Sequence, residues 1–218
     1  MRGLGVFLAL AFPTLSTPTP LRADTSQLIA PSPEFLYTYY QENAPHWTDL
    51  PDHVLQALMA AEDLHFLDRP LKQSTFATQM SNWHNPSDTN HPAFRSLYQV
   101  AFAFSLSEAL SHEQVLNWYA NEIYLGQGCY GVAHAAQAYW GKPAADLSLA
   151  EAAYLAALPK APAYFHPIRN HDAAVTRRNF VLSEMVVPGF ITPQMAQAAM
   201  SEPLAVMSPL GQCQDQTE

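Results

Sequence analysis

Positive charge is what this chain lacks most: 10 Lys and Arg stand against 19 Asp and Glu in 218 residues, a net charge of -9. A protein that tracks nucleic-acid phosphates rests on a basic surface, so that class is excluded and no nucleic-acid partner is expected. Charge of either sign is sparse, 13% against 49% hydrophobic residues, so the chain can bury a large core but covers itself thinly with charge. Cysteine is limited to Cys129 and Cys213, far apart in sequence, which leaves both a bridge and a free pair open. None of the nine histidines shows the paired spacing of a zinc motif, and no metal site is expected from them. The apolar run from Leu4 to Phe12 is too short to span a bilayer comfortably. Internal repeats and strand-like alternation are missing too.

What is present reads as one domain of ordinary size with an address label. Arg2 before the apolar run, Pro13 after it and Ala23 as a small residue resemble a secretory signal peptide, or a short apolar anchor if retained, over residues 1–23. The expected location is therefore exported: periplasmic, or the outer face of the cytoplasmic membrane. Residues 24–46 read as a linker and entry segment. From Thr14 to Pro33 the chain is rich in Thr, Ser and Pro and cannot bury enough apolar surface to fold alone. Residues 47–203 form the folded domain, and 204–218 a loosely ordered tail.

Helical punctuation recurs through the folded part. Pro51 opens a segment, Ser111 with Gln114 and Ser148 with Glu151 form capping boxes, and Thr192-Pro193 starts a late helix. Gly126, Gly141 and Gly189 are stops. Apolar positions at helical spacing, such as Leu97, Ala101 and Phe104 or Val175, Leu182 and Met185, complete an all-α reading. Trp118, Tyr119, Tyr124, Tyr139 and Trp140 fall in helical segments, where core packing is the default and sugar stacking the alternative. Asn121 and Gln137 are expected to satisfy backbone groups near helix ends.

One carboxylate breaks the pattern. Leu55, Leu58, Glu62 and Phe66 lie on one stripe, so Glu62 faces the side that should meet the core. Desolvation raises a carboxyl pKa, which suits a group that exchanges a proton with a sugar hydroxyl near neutral pH. The same position, in the last turn of a helix, also lets a glutamate bend out to solvent or be paired.

Five segments in order carry a resemblance. Ala60-Ala61-Glu62-Asp63-Leu64-His65-Phe66 is similar to the first motif of the peptidoglycan glycosyltransferases, glycosyltransferase family 51. Ser74-Thr75-Phe76-Ala77-Thr78-Gln79 resembles the second, with Ser74, Thr75 and Gln79 matching. The stretches 116–126, 131–142 and 147–162 are similar to later blocks, and Arg177-Arg178 with Val181, Leu182 and Met185 completes the likeness from about Trp47 to about Met200. It implies a lysozyme-like helical core over 47–203 that polymerises glycan strands from the lipid-linked disaccharide lipid II. Implied partners are lipid II and the nascent glycan strand, a membrane surface and other cell-wall synthesis proteins.

By the same resemblance Glu62 matches the base that removes the acceptor's 4-hydroxyl proton. Arg95 matches a cation on the departing pyrophosphate, while Asp63, Ser74, Thr75 and Gln79 match substrate-binding positions. Gln99 stands where the family carries a second catalytic glutamate. Ser96 replaces a lysine, and Asn82 replaces another after the second motif. Removing preorganised electrostatic groups of this kind costs about 2.7–4 kcal/mol each in other enzymes. A divalent cation is implied only through the glutamate that Gln99 replaces. Only a short stretch separates Glu62 from Ser74, so the mobile membrane-dipping segment is shortened or missing. Lys72 stands where the family has glycine and is a substitute cation by hypothesis; Lys142, Lys160, Arg177 and Arg178 are further candidates. Two other functions stay open: a catalytically impaired member that binds glycan or cell-wall enzymes, and a lysozyme-like enzyme that cleaves peptidoglycan.

Overall fold

The computed structural model describes residues 30–84 and 92–213. The expected leader, 1–23, the first part of the linker and residues 214–218 of the tail lie outside the described residues. Helices make up most of what is described, with single 3-10 turns between them and one isolated β-bridge, Tyr124 to Tyr130. The all-α expectation is met.

The centre of the molecule is the helix Leu149–Ala157, numbered α7. Its sequence is small and apolar on every side, so no face prefers water, and each residue from Ala152 to Ala157 is buried. Alanine side chains let two helices approach it closely: α2, Asp52–Glu62, and α8, His171–Val186. The last helix, α9 (Pro193–Ser201), packs on α8. A second group consists of α1 (Pro33–Asn43), α3 (Thr75–Trp83) and α4 (Pro92–Ala109), with α4 touching both others. Between the groups runs α5, His112–Glu122, which contacts α2, α3 and α6 (Val132–Trp140). The C-terminal ends of α2 and α5 and the body of α3 thereby meet.

Local chemistry sets the boundaries. Both capping boxes form: Ser111 Oγ accepts from the Gln114 amide and Ser148 Oγ from the Glu151 amide, each with the reciprocal bond. Thr192 Oγ1 accepts from the Met195 N–H at the start of α9. Gly141 ends α6 at φ +68°, a left-handed conformation that glycine adopts without a Cβ penalty. Gly126 is not a helix stop, since α5 already ends at Glu122; it turns the loop that brings Tyr124 to Tyr130. Asn121 meets its expectation by accepting from the Thr48 N–H and donating to the Asn117 carbonyl. Gln137 does not: its side chain is exposed.

Two expectations are corrected. In the segment read as linker and entry, 24–46, residues 33–43 are helical and docked. Ser32 caps α1, Leu36 is buried, and the Tyr39 hydroxyl donates to Glu122. The tail is tied down as far as Cys213. Met207 and Gly211 donate backbone hydrogen bonds to Tyr139 and Ala138, the Trp140 indole donates to Ala205, and Cys129 and Cys213 form a disulfide. The helical spacing of Leu97, Ala101 and Phe104 is met by α4; Leu97 and Phe104 are exposed at 66% and 48%, and the face of α4 that enters the core is Tyr98, Phe102 and Leu106. Both stripes are apolar and helically spaced, and the docking of α1 and α3 selects between them.

Candidate active site

Glu62 is the last residue of α2, and the residue after it fastens that end. Asp63 turns inward. Its Oδ2 accepts from the Thr75 N–H at 2.8 Å and its Oδ1 pairs with Arg69 at 2.5 Å. A carboxylate at the first turn of α3 also suits that helix's dipole. Ser74 caps the same helix, its Oγ accepting from the Ala77 N–H at 3.0 Å. Asp63 and Ser74 are 3% and 1% exposed. Matched by the resemblance to substrate-binding positions, both have their polar atoms engaged inside the fold, where they fasten the start of this helix. Thr75 remains partly exposed.

One turn along α3 from Thr75, Gln79 reaches Glu62. Its Nε2 donates to Glu62 Oε2 at 2.6 Å, and its Oε1 accepts from the Tyr119 hydroxyl of α5 at 2.8 Å. Glu62 Oε1 is sealed from water and has no hydrogen-bond partner. Burial raises the Glu62 pKa above the usual carboxyl value. The Gln79 hydrogen bond and the charges of Arg177 and Lys160 pull against it. This is the environment expected of a group that takes up a proton, and the carboxylate does not point into bulk solvent. The enclosure around Oε1 must loosen for a hydroxyl to reach it.

The cations sort clearly. Lys160 follows α7 and is exposed; Arg177 lies on α8, its guanidinium 4.8 Å from the centre of the Phe180 ring. Both act on Glu62. Lys142 is paired with Glu151 at 2.5 Å. Arg178 is buried and donates to the Met200 and Glu202 carbonyls, closing the end of α9. Lys72 sits over the Phe104 ring, and with Pro70, Leu71, Ser107, Leu110 and His112 it lines a cavity of about 370 Å³ that includes none of the expected site residues. Arg95 is exposed on the first half of α4 and is not among the charges that shift Glu62.

Gln99 and Asn82, the two amides that stand where the resemblance leads one to expect charges, lie against each other, Gln99 Nε2 donating to Asn82 Oδ1 at 2.8 Å. These residues do not fit a divalent cation. Neither carries a charge, and among the described residues no cluster of three His, Cys, Asp or Glu is placed to hold a metal ion.

Two buried polar groups were not singled out by the sequence. The Tyr119 ring is core, edge-on to Phe76 and stacked on Trp83, but its hydroxyl belongs to the site. Glu122 is a second carboxylate whose pKa burial raises, with Oε1 accepting from Tyr39 and Oε2 from the Trp118 indole. The four-residue interval from Trp118 to Glu122 was the available signal.

A largely buried carboxyl with a raised pKa, one oxygen bonded to Gln79 and the other unpartnered, is a group able to take up a proton. The transglycosylase family model matches residues 73–186, more than half of the chain, and the chain belongs to that family. Among its relatives is penicillin-binding protein 1A of Pseudomonas aeruginosa, 37% identical over 180 residues that cover 72% of this chain and 22% of that protein. Penicillin-binding protein 1A of Aquifex aeolicus is 34% identical over 177 residues, covering 72% and 24%. The crystal structure of penicillin-binding protein 1A from Haemophilus influenzae aligns with a TM-score of 0.48 at 27% identity, over 73% of this chain and 17% of that one. The chain thus spans about a quarter of the length of the curated relatives it matches.

Proposed function

We propose that this protein is a peptidoglycan glycosyltransferase that lengthens glycan strands from lipid II outside the cytoplasmic membrane, with Glu62 as its general base. The observation that carries the reading is the state of Glu62: largely buried, with one oxygen held by Gln79 and the other unpartnered. In the reaction the acceptor's 4-hydroxyl gives its proton to Glu62, and the oxygen bonds to the anomeric carbon of the growing strand. The bond from that carbon to the lipid pyrophosphate breaks, its electron pair leaving with the pyrophosphate. Burial makes Glu62 basic enough to accept the proton, and the two cations keep it ionised beforehand. Arg95, exposed on α4, is the cation assigned to the departing pyrophosphate.

A second reading has its own support. The neutral Gln99–Asn82 pair withholds charge near the expected leaving-group side, which fits a member that binds glycan and turns over slowly. Incubating the purified chain with labelled lipid II separates the two. Polymer formed by the wild type and lost at least a hundredfold in Glu62→Gln supports the transferase. No polymer, with glycan binding unchanged in Glu62→Gln, supports the binder. Soluble muropeptides released from isolated cell wall would replace both with a cleaving enzyme.

A further inference from the structure

We propose that the Tyr119 hydroxyl is a positioning group for the transfer reaction: it holds the Gln79 amide with its NH2 toward Glu62, engaging Oε2 and leaving Oε1 to take the acceptor's proton. The inference deepens the reading of Glu62 as the base and rests on it.

A glutamine amide has two ends of similar shape and opposite chemistry, one that accepts and one that donates. Here Oε1 of Gln79 accepts from Tyr119 at 2.8 Å, and Nε2 donates to Glu62 at 2.6 Å. Turned over, the amide would present its carbonyl oxygen to the carboxylate, an arrangement compatible only with protonated Glu62. The Tyr119 hydroxyl proton decides between the two. Tyr119 is fully buried, its ring wedged between Phe76 and Trp83, so water cannot serve its hydroxyl. In the observed orientation the proton has an acceptor in Gln79; in the turned one it has none, and a buried donor without a partner is strongly disfavoured. Tyr119 therefore selects the amide orientation that favours ionised Glu62 and excludes the one that only protonated Glu62 can meet.

The groups facing Glu62 agree with that role. Arg177 from α8 and Lys160 from the turn after α7 favour the ionised form, and Asp63 is turned away toward Arg69 and Thr75. Tyr119 itself does not titrate in the working range, because burial and the Glu62 charge push its phenol well above the ordinary value. No proton passes through Tyr119 or Gln79. The acceptor's proton goes directly to Glu62 Oε1, the oxygen of that carboxylate without a protein donor.

The test uses the full chain and Tyr119→Phe, which keeps the ring and removes only the hydroxyl. Carbon-13 NMR titration of the Glu62 carboxyl, identified by its loss in Glu62→Gln, should show it protonating at higher pH in Tyr119→Phe. With lipid II, the acid limb of kcat should move the same way. The loss on that limb should be roughly tenfold for each pH unit of displacement, with kcat recovered on the alkaline side and KM unchanged. Gln79→Leu should move the limb in the same direction, and the double variant should add nothing further. In the wild type, the Gln79 side-chain NH2 resonances should follow the Glu62 titration, a readout that needs no variant. Unresponsive NH2 resonances, an unmoved Glu62 titration, or a kcat that falls equally at every pH would each overturn the proposal. A Glu62→Gln chain that polymerises at the wild-type rate would instead remove the base assignment, whatever Tyr119→Phe does to the titration.

Discussion

Glu62 and Glu122 each end a helix and each have their pKa raised by burial, yet their surroundings give them different work. Both oxygens of Glu122 are occupied, by Tyr39 and Trp118, so it serves as an acceptor that docks α1 onto α5. Glu62 has one occupied oxygen and one unpartnered one. Such a carboxylate opposes stability once ionised. Because its folded pKa lies above the ordinary 4.5, the stability linked to its protonation is complete below that value. It is lost as pH rises through the folded pKa. Glu62→Gln cannot lose it, so its melting temperature should match the wild type at low pH and exceed it at pH 7.5. Calorimetry at the two pH values checks this, and a variant that melts below the wild type at pH 7.5 would contradict it. A stabilising substitution at the proposed base would be the ordinary mark of a site kept strained for its chemistry.

Elements explain why one residue of the first motif and one of the second are engaged inside the fold. Ser74 and Asp63 serve the start of α3, the helix that aims Gln79, so their chemistry is spent on placing a neighbour. Ser74→Ala should cost about 1 kcal/mol in urea unfolding, the usual effect of losing an N-cap. At temperatures where the variant is fully folded, KM for lipid II should be unchanged; a several-fold rise in KM would return Ser74 to the substrate. The capping boxes at Ser111 and Ser148 were legible beforehand because both partners of each bond lie within one turn. The buried face of α4 was not. Leu97 with Phe104 and Phe102 with Leu106 obey the same period, and only the neighbours decide which pair loses water.

At the scale of the whole molecule, the C-terminal segment runs back along α6 and is locked to the loop after α5 by the Cys129–Cys213 disulfide. Closing a loop of 84 residues limits the unfolded chain and contributes about 2–4 kcal/mol. Reduction, or Cys213→Ser, should therefore lower stability by that amount in denaturant unfolding and expose residues 204–213 to protease. An unchanged midpoint with and without reductant would show that the bridge adds nothing. Among the described residues no helix is long and apolar enough to cross a membrane.

Sequence by itself determined the helical class, the starts of α5, α7 and α9, the family motifs and Glu62 as the residue that breaks its apolar stripe. These rest on contacts within a few residues, or on the order of motifs along the chain, and both survive without coordinates. Tertiary structure alone decided the rest. It paired the cysteines, turned Asp63 and Ser74 inward, chose Lys160 and Arg177 from the candidate cations, and brought Tyr119, Gln79 and Glu62 into one chain of hydrogen bonds. Those three residues come from α5, α3 and α2, and their contact depends on how the helices pack. Spacing along a chain records which face a side chain takes, not which distant helix will meet it.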